Sequence, residues 1–455
     1  MGVPRLARKD TVRNLMTLSA RRREETIDAL RRGTVPRAGL DVLAVGLDRF
    51  GEALDAELSS AAAGSGVFKC VRGEYGAGKT FLTRWLAERA KQRGFATSEV
   101  QISETETPLH RLETVYRRLV ERISTATVAS GGLRTVIDAW FYALEEDVLA
   151  AGEVDESDTL ALTAAANDLA ERRLGDITRE APLFAAVLRG YRDAVAQGDG
   201  ATADGLLAWM GGQPNVAAAV KRKAGIKGDL DHFGALSFLQ ALLVVLKDAG
   251  HPGLLVVLDE VETLQRVRSD VRDKGLNALR QLVDEVDSGR FPGLYLVITG
   301  TPAFFDGPQG VKRAEALASR LATDFTTDAR FDNPRAVQIR LSGFSLDSLV
   351  EVGVKVRDIY LEGCQSPDRI RERCPDTYVE ALARAVAGDL GGKVGVAPRV
   401  FLKKLVGDVL DRIDQFEDFD PTQDYRLTIG ADELTVEERE ASRPQSVDDI
   451  DLDLD

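Results

Sequence analysis

Cysteine, histidine, methionine and tryptophan each occur only three times in 455 residues. Cys70, Cys364 and Cys374 are unpaired in spacing. This excludes a disulfide framework and a cysteine-based zinc site, and fits a reducing cytoplasm. His110, His232 and His251 have no metal-ligand spacing and read as surface or core residues. No stretch approaches about 18 consecutive apolar residues, which excludes a membrane-spanning helix. The first thirty residues hold Arg5, Arg8, Lys9, Arg13 and Arg21 to Arg23 without an apolar run, so no secretory signal is read there. What is present is ordinary globular material, 44% hydrophobic and 29% charged, which excludes wholesale disorder. The length allows roughly three domain-sized units of about 150 residues.

The net charge of −14 is unevenly placed. Residues 411–455 hold sixteen acidic residues against four arginines, and the rest of the chain is close to neutral. The chain ends Asp448-Asp449-Ile450-Asp451-Leu452-Asp453-Leu454-Asp455, a self-repelling run expected to be disordered. The plain reading is a solubilising tail; the sharper one is a tail that competes with DNA for a basic groove.

Apolar periodicity organises the remainder. Residues 24–62 read as helix, turn and helix. Short strands are expected at 66–72 and 96–102, with a helix from Lys79 to about Arg93 between them. Thr107-Pro108 is expected to open another helix. From 128 to 250 the pattern is helical only. Leu254–Leu258 and Leu294–Ile298 are continuous apolar runs, as strands buried on both faces would be, and 337–341 is a shorter strand. The fold class is therefore a parallel α/β sheet interrupted by helices. The expected domains are a basic extension and linker over 1–38, a first part of the core over 39–127 and a helical insertion over 128–250. The second part of the core spans 251–344, a helical lid 345–413 and the acidic tail 414–455.

Gly73-Glu74-Tyr75-Gly76-Ala77-Gly78-Lys79-Thr80 matches the phosphate-loop pattern, after a strand and opening a helix. Glycines let the backbone wrap a phosphate; loop N–H groups and the helix N-terminus face the anion. Lys79 is expected at the β- and γ-phosphates, and the Thr80 hydroxyl on Mg²⁺. The run Leu254–Leu258 ends in Asp259-Glu260, and desolvating two carboxylates has no packing reason. Asp259 is expected to hold Mg²⁺ and Glu260 to activate the attacking water. Glu262 reads as a solvated or helix-start acid. Thr299, with Thr301 as alternate, offers a hydroxyl to the γ-phosphate or the water. Arg320 offers a cation, in a neighbouring subunit's site. Arg399, in Gly395-Val396-Ala397-Pro398-Arg399, is placed to report hydrolysis from the lid.

This order of motifs resembles the AAA+ ATPases, over about 40–412. Val45-Gly46-Leu47-Asp48-Arg49-Phe50 resembles the linker that lines the adenine pocket in initiator-type members. Four peptides (72–80, 99–110, 258–264 and 298–305) resemble the BrxD family of ATP-binding proteins from BREX bacteriophage-exclusion systems. That resemblance implies ATP and Mg²⁺ as cofactors. It also implies a bacterial defence role beside other BREX proteins, among them a methyltransferase and a helicase. Two features depart from AAA+ chains. Lys79 and Asp259 stand 180 residues apart, and the acidic segment after the lid is too short and charged to form a winged helix.

Two basic clusters, Lys221-Arg222-Lys223 with Lys227, and Arg266, Arg268, Arg272 and Lys274, are candidate phosphate contacts for DNA. Trp140, Phe141 and Trp209 read as core of the insertion. The expected activity is ATP hydrolysis that drives assembly or remodelling of a DNA-associated defence complex. Self-association or a partner ATPase would complete the site with Arg320. The alternative is a nucleotide-dependent switch that turns over slowly or not at all.

Overall fold

The computed structural model describes residues 18–152, 154–155, 157–389 and 397–430. The first seventeen residues of the expected basic extension, Gly395 and Val396 before Arg399, and the tail beyond 430 lie outside the described residues. The chain divides into two compact units. One takes the described parts of 1–46 and 344–455, the other Leu47–Gly343. Residues 39–46, read from sequence as part of the core, fall in the same unit as the helices after 344.

The smaller unit begins with α1 (Ala20–Arg31) and α2 (Leu40–Leu43). The Ser19 hydroxyl caps α1 by accepting from the Arg22 amide.

The larger unit opens with α3 (Asp48–Ala62), β1 (Val67–Arg72), α4 (Lys79–Gln92), β2 (Ala96–Gln101) and α5 (Leu112–Glu121). The expected helix start at Thr107-Pro108 is corrected. The Ser103 hydroxyl accepts from the Glu106 and Thr107 amides, and Arg111 N–H closes a turn on Pro108 O, so the helix starts only at Leu112. Six helices follow without a strand: α6 (Leu133–Ala150), α7 (Thr159–Glu180), α8 (Pro182–Ala196), α9 (Gly200–Met210), α10 (Ala218–Lys223) and α11 (His232–Asp248). Then come β3 (Leu254–Asp259), a 3₁₀ turn over Val261–Gln265, α12 (Ser269–Asp287), β4 (Leu294–Gly300), α13 (Pro302–Asp306), α14 (Glu315–Arg320) and β5 (Gln338–Arg340).

The five strands form one parallel sheet in the order β2-β3-β4-β1-β5. Every residue of β3 and β4 is buried, as the apolar runs Leu254–Leu258 and Leu294–Ile298 within them require. This mixed α/β unit is consistent with a P-loop NTPase-like fold. β4 separates β1 from β3, so the carboxyl ends of β2, β3 and β4 reach the same sheet edge as the turn leaving β1. In open parallel sheets ligands bind at that edge.

The six helices share the sheet's core. Trp140, Phe184 and Phe238 lie in one buried cluster with Val256, Leu258 and Ile298. Rings of Tyr116, Phe184 and Trp209 surround Phe238 at 6.1, 5.1 and 5.7 Å. The two tryptophans of these helices each find an acceptor for the indole N–H: Trp140 the Asp248 carboxylate at 3.2 Å, Trp209 the Gly228 carbonyl at 3.1 Å. A buried lysine ties β1 to the chain entering β5. Lys69 Nζ donates to Pro334 O and Ala336 O and pairs with Glu57, whose carboxylate also accepts from the Tyr295 hydroxyl.

The smaller unit continues with α15 (Leu346–Leu361), α16 (Pro367–Arg373), α17 (Asp376–Asp389) and α18 (Ala397–Lys403), which runs into a π-helical stretch over Lys404–Leu410. Asp411 ties this unit together, accepting from Arg31 and from the Tyr360 hydroxyl.

Candidate functional site

The loop from β1 to α4 is held by glycines where a side chain would not fit. Gly76 and Gly78 adopt φ of 77° and 93°, the left-handed region. A Cβ on Gly73 would sit 3.1 Å from Ala77 Cβ and 3.2 Å from Leu341 Cβ. α4 has no acidic residue in its first turn, so its N-terminal amides keep their positive end for an anion. Lys79 opens that helix and is only 7% exposed. Its ammonium donates to Gly73 O at 2.8 Å and lies over the Tyr75 ring at 5.1 Å.

Asp259 ends β3 and is buried. Its Oδ2 accepts from the Thr80 hydroxyl at 3.3 Å, and its Oδ1 from the Thr299 hydroxyl. Among the described residues no group of three or more His, Cys, Asp or Glu could hold a metal. One carboxylate beside one hydroxyl fits Mg²⁺, which keeps waters and takes few protein ligands beside substrate phosphates.

Glu260 is one of two non-glycine residues with positive φ among the described residues, at φ 59° and ψ 41°. That conformation costs about 1–2 kcal/mol. It is held because the Glu260 amide donates to both Thr299 Oγ1 at 3.0 Å and Asp259 Oδ1 at 3.1 Å. The Glu260 carboxylate accepts from the Gln101 side-chain amide at 2.9 Å. Gln101 ends β2, in register with Asp259.

Two readings are corrected here. Thr299 is fully buried, and its hydroxyl is committed to Asp259 and to the Glu260 amide rather than offered to a ligand. Of the two readings of Glu262 the helix-start acid holds, in the first turn of the 3₁₀ segment, and the solvated one does not. The residue is 3% exposed, neither carboxylate oxygen has a hydrogen-bond partner, and Oε1 lies 3.6 Å from Lys79 Nζ. Burial raises its pKa above the usual carboxylate range, with Lys79 opposing.

Of the remaining expected residues, Thr301 and Arg320 lie in the larger unit and Val45 and Arg399 in the smaller. Thr301 caps α13 by accepting from the Phe304 amide. Arg320, at the end of α14, pairs with Asp284 of α12 at 2.6 Å, at an angle unsuited to a hydrogen bond. Val45 and Arg399 are half-buried in the smaller unit, where Arg399 lies against Gly33.

Both basic clusters are partly paired within the chain. Lys221 pairs with Asp229, and Lys223 with Asp199. Arg272 donates to the carbonyls of Leu264, Gln265 and Val267, bracing the 3₁₀ turn. Arg266 reaches the Tyr75 hydroxyl at 3.4 Å. Reading the sequence missed Gln101 and the burial of Glu262. Only strand register and packing reveal them.

The family model of the BREX system ATP-binding protein BrxC/D matches residues 18–429, so the chain belongs to that family. No curated protein matches the chain. No helix among the described residues is long and apolar enough to cross a membrane.

Proposed function

We propose that this BREX ATP-binding protein is an AAA+-like ATPase that binds ATP at the 73–80 loop and hydrolyses it. The observation that carries the reading is the joining of three strand ends and the loop by hydrogen bonds: Thr80 to Asp259, Thr299 to Asp259, the Glu260 amide to both Thr299 and Asp259, and Gln101 to the Glu260 carboxylate. The loop amides and the N-terminus of α4 would cradle the phosphates, with Gly73, Gly76 and Gly78 giving close approach and Glu74, Tyr75 and Ala77 supplying backbone. Lys79 would move from its carbonyl contacts to the β- and γ-phosphate oxygens. The Thr80 hydroxyl and the Asp259 carboxylate would hold Mg²⁺, which when bound neutralises charge developing on those oxygens.

Glu260 is the general base of this reading. Its carboxylate would take the proton of a water attacking the γ-phosphorus, and Thr299 positions it by fixing its backbone. Val45 would line the base pocket. Arg399 would sense the γ-phosphate, and Arg320 would serve a neighbouring site, in a homo-oligomer or with a partner ATPase. The nucleotide state would then drive assembly or remodelling with other BREX proteins.

The test is ATP turnover by the purified chain. Glu260→Gln should lower kcat by roughly 10²–10⁴-fold, the range for a general base, while ATP still binds. Lys79→Ala should lose binding itself. A parent chain that binds ATP but turns over no faster than Glu260→Gln would make the protein a nucleotide-dependent switch.

A further inference from the structure

One cleft in the larger unit lies outside the nucleotide site. It has a volume of about 600 Å³ and runs along the outer face of α12 from Lys274 to Ser288, with His110 and His232 on its walls. At 1.5 Å per residue that face is about 20 Å long. Its carboxylates are spoken for from outside: Asp284 pairs with Arg320 at 2.6 Å and Glu285 with Arg290 at 2.9 Å. Its cations are not. Lys274 and Arg280 are exposed, and neither has an ion-pair partner among the described residues. The cleft thus keeps two free positive charges and two imidazoles, with the buried Nδ1 of His110 lacking any hydrogen-bond partner. Next in the chain to His232 of the cleft wall is Phe233, 73% exposed, its ring 5.4 Å from that of His232.

We propose that this cleft binds single-stranded nucleic acid, with Lys274 and Arg280 on successive phosphates and a base stacked on Phe233. Free cations along a groove with an exposed ring beside them are the two parts of a sequence-tolerant single-strand site. A duplex hides its base faces from such a ring. An acidic peptide has no flat face to offer it. The site also has a route to the nucleotide loop. α12 packs on the 3₁₀ turn so closely that a Cβ on Gly275 would lie 2.5 Å from Leu264 Cδ2, and that turn carries Glu262 to Lys79.

The binding claim does not depend on hydrolysis, so the test is run without nucleotide. Fluorescence anisotropy of the full chain is measured with labelled DNA and RNA single strands of roughly 20 nucleotides, a duplex of the same sequence and an acidic peptide, between about 50 and 200 mM salt. Single strands should bind more tightly than duplex or peptide. The double variant Lys274→Glu/Arg280→Glu should weaken binding at least tenfold. Its log–log salt slope should be shallower than the parent's by roughly 1.4, the value for two lost phosphate contacts. Phe233→Ala should weaken binding roughly five- to hundredfold with the slope unchanged. All three side chains are exposed, and an unchanged melting curve excludes misfolding. No binding by the parent, binding that survives both variants, or tighter binding of duplex or peptide overturns the proposal. DNA and RNA bound alike fit the proposal, and a strong preference for one names the ligand.

Discussion

A threonine hydroxyl has one proton to give and lone pairs to receive, and Thr299 uses both kinds. It donates to Asp259 and accepts from the amide of Glu260, the residue held in a left-handed backbone. Thr299→Val keeps the shape and deletes both bonds, leaving that amide only Asp259 Oδ1. A stability loss of about 1–3 kcal/mol is expected. If Glu260 is the base, kcat should fall roughly 10–100-fold with KM for ATP little changed, since only positioning is lost. Thr299→Ser should restore both. A valine variant with the parent's kcat would remove Thr299 from the mechanism. Glu262 gives a second prediction at this scale. Burial raises its folded-state pKa above the unfolded value, so the folded chain binds the extra proton. The stability it adds is complete below the ordinary glutamate pKa of about 4.3 and is lost as pH rises through the raised value. Glu262→Gln removes that loss. Its melting temperature should depend less on pH from about pH 4 upward. Calorimetry across that range decides, and parallel curves for the two proteins would contradict it.

Between elements, the contact that matters most is α12 on the 3₁₀ turn. Gly275→Ala places a methyl against Leu264 in a buried packing layer, at an expected cost of about 1–3 kcal/mol. Because the same turn carries Glu262 beside Lys79, weaker ATP binding should accompany it. Leu264→Ala opens the space, so the double variant should be more stable than the sum of the single losses by at least about 0.5 kcal/mol, and additive losses would mean the two do not touch. This scale also separates what the sequence could tell from what it could not. β3 and β4 were legible because a strand buried on both faces must be apolar throughout. The phosphate loop was legible because its chemistry fixes residue types at fixed spacing. The start of α5 was not, because Ser103 makes a local side-chain turn that a Thr-Pro pair also signals. Gln101 and Glu262 were invisible because one owes its place to register with β3 and the other to burial. The pairing within the basic runs was invisible for a related reason: adjacency in sequence says nothing of Asp199 and Asp229, which neutralise Lys223 and Lys221.

For the whole molecule, the order β2-β3-β4-β1-β5 places the elements after β4 beside α12, and there α14 ends at Arg320. Arg320 and Asp284 are both partly solvated, and such a pair contributes only about 0–1 kcal/mol. Removing it should not unfold the chain, so Arg320→Ala is a clean probe of function. A cation that acts in its own site and one that acts in a neighbour's predict different results on mixing. In a head-to-tail assembly each site joins one chain's loop to the next chain's arginine. Lys79→Ala chains lack the loop cation and Arg320→Ala chains lack the donated one, so each preparation alone should be inactive. Mixed in equal amounts, an Arg320→Ala chain followed by a Lys79→Ala chain makes one complete site. Random assembly should then recover up to about a quarter of the parent's turnover. The measurement is steady-state ATP hydrolysis across mixing ratios, with light scattering to follow association. Recovery that peaks at equal amounts assigns Arg320 to a shared site. If the mixture stays as inactive as its parts, the arginine acts in its own chain's site; if Arg320→Ala alone turns over like the parent, its pair with Asp284 is its whole role.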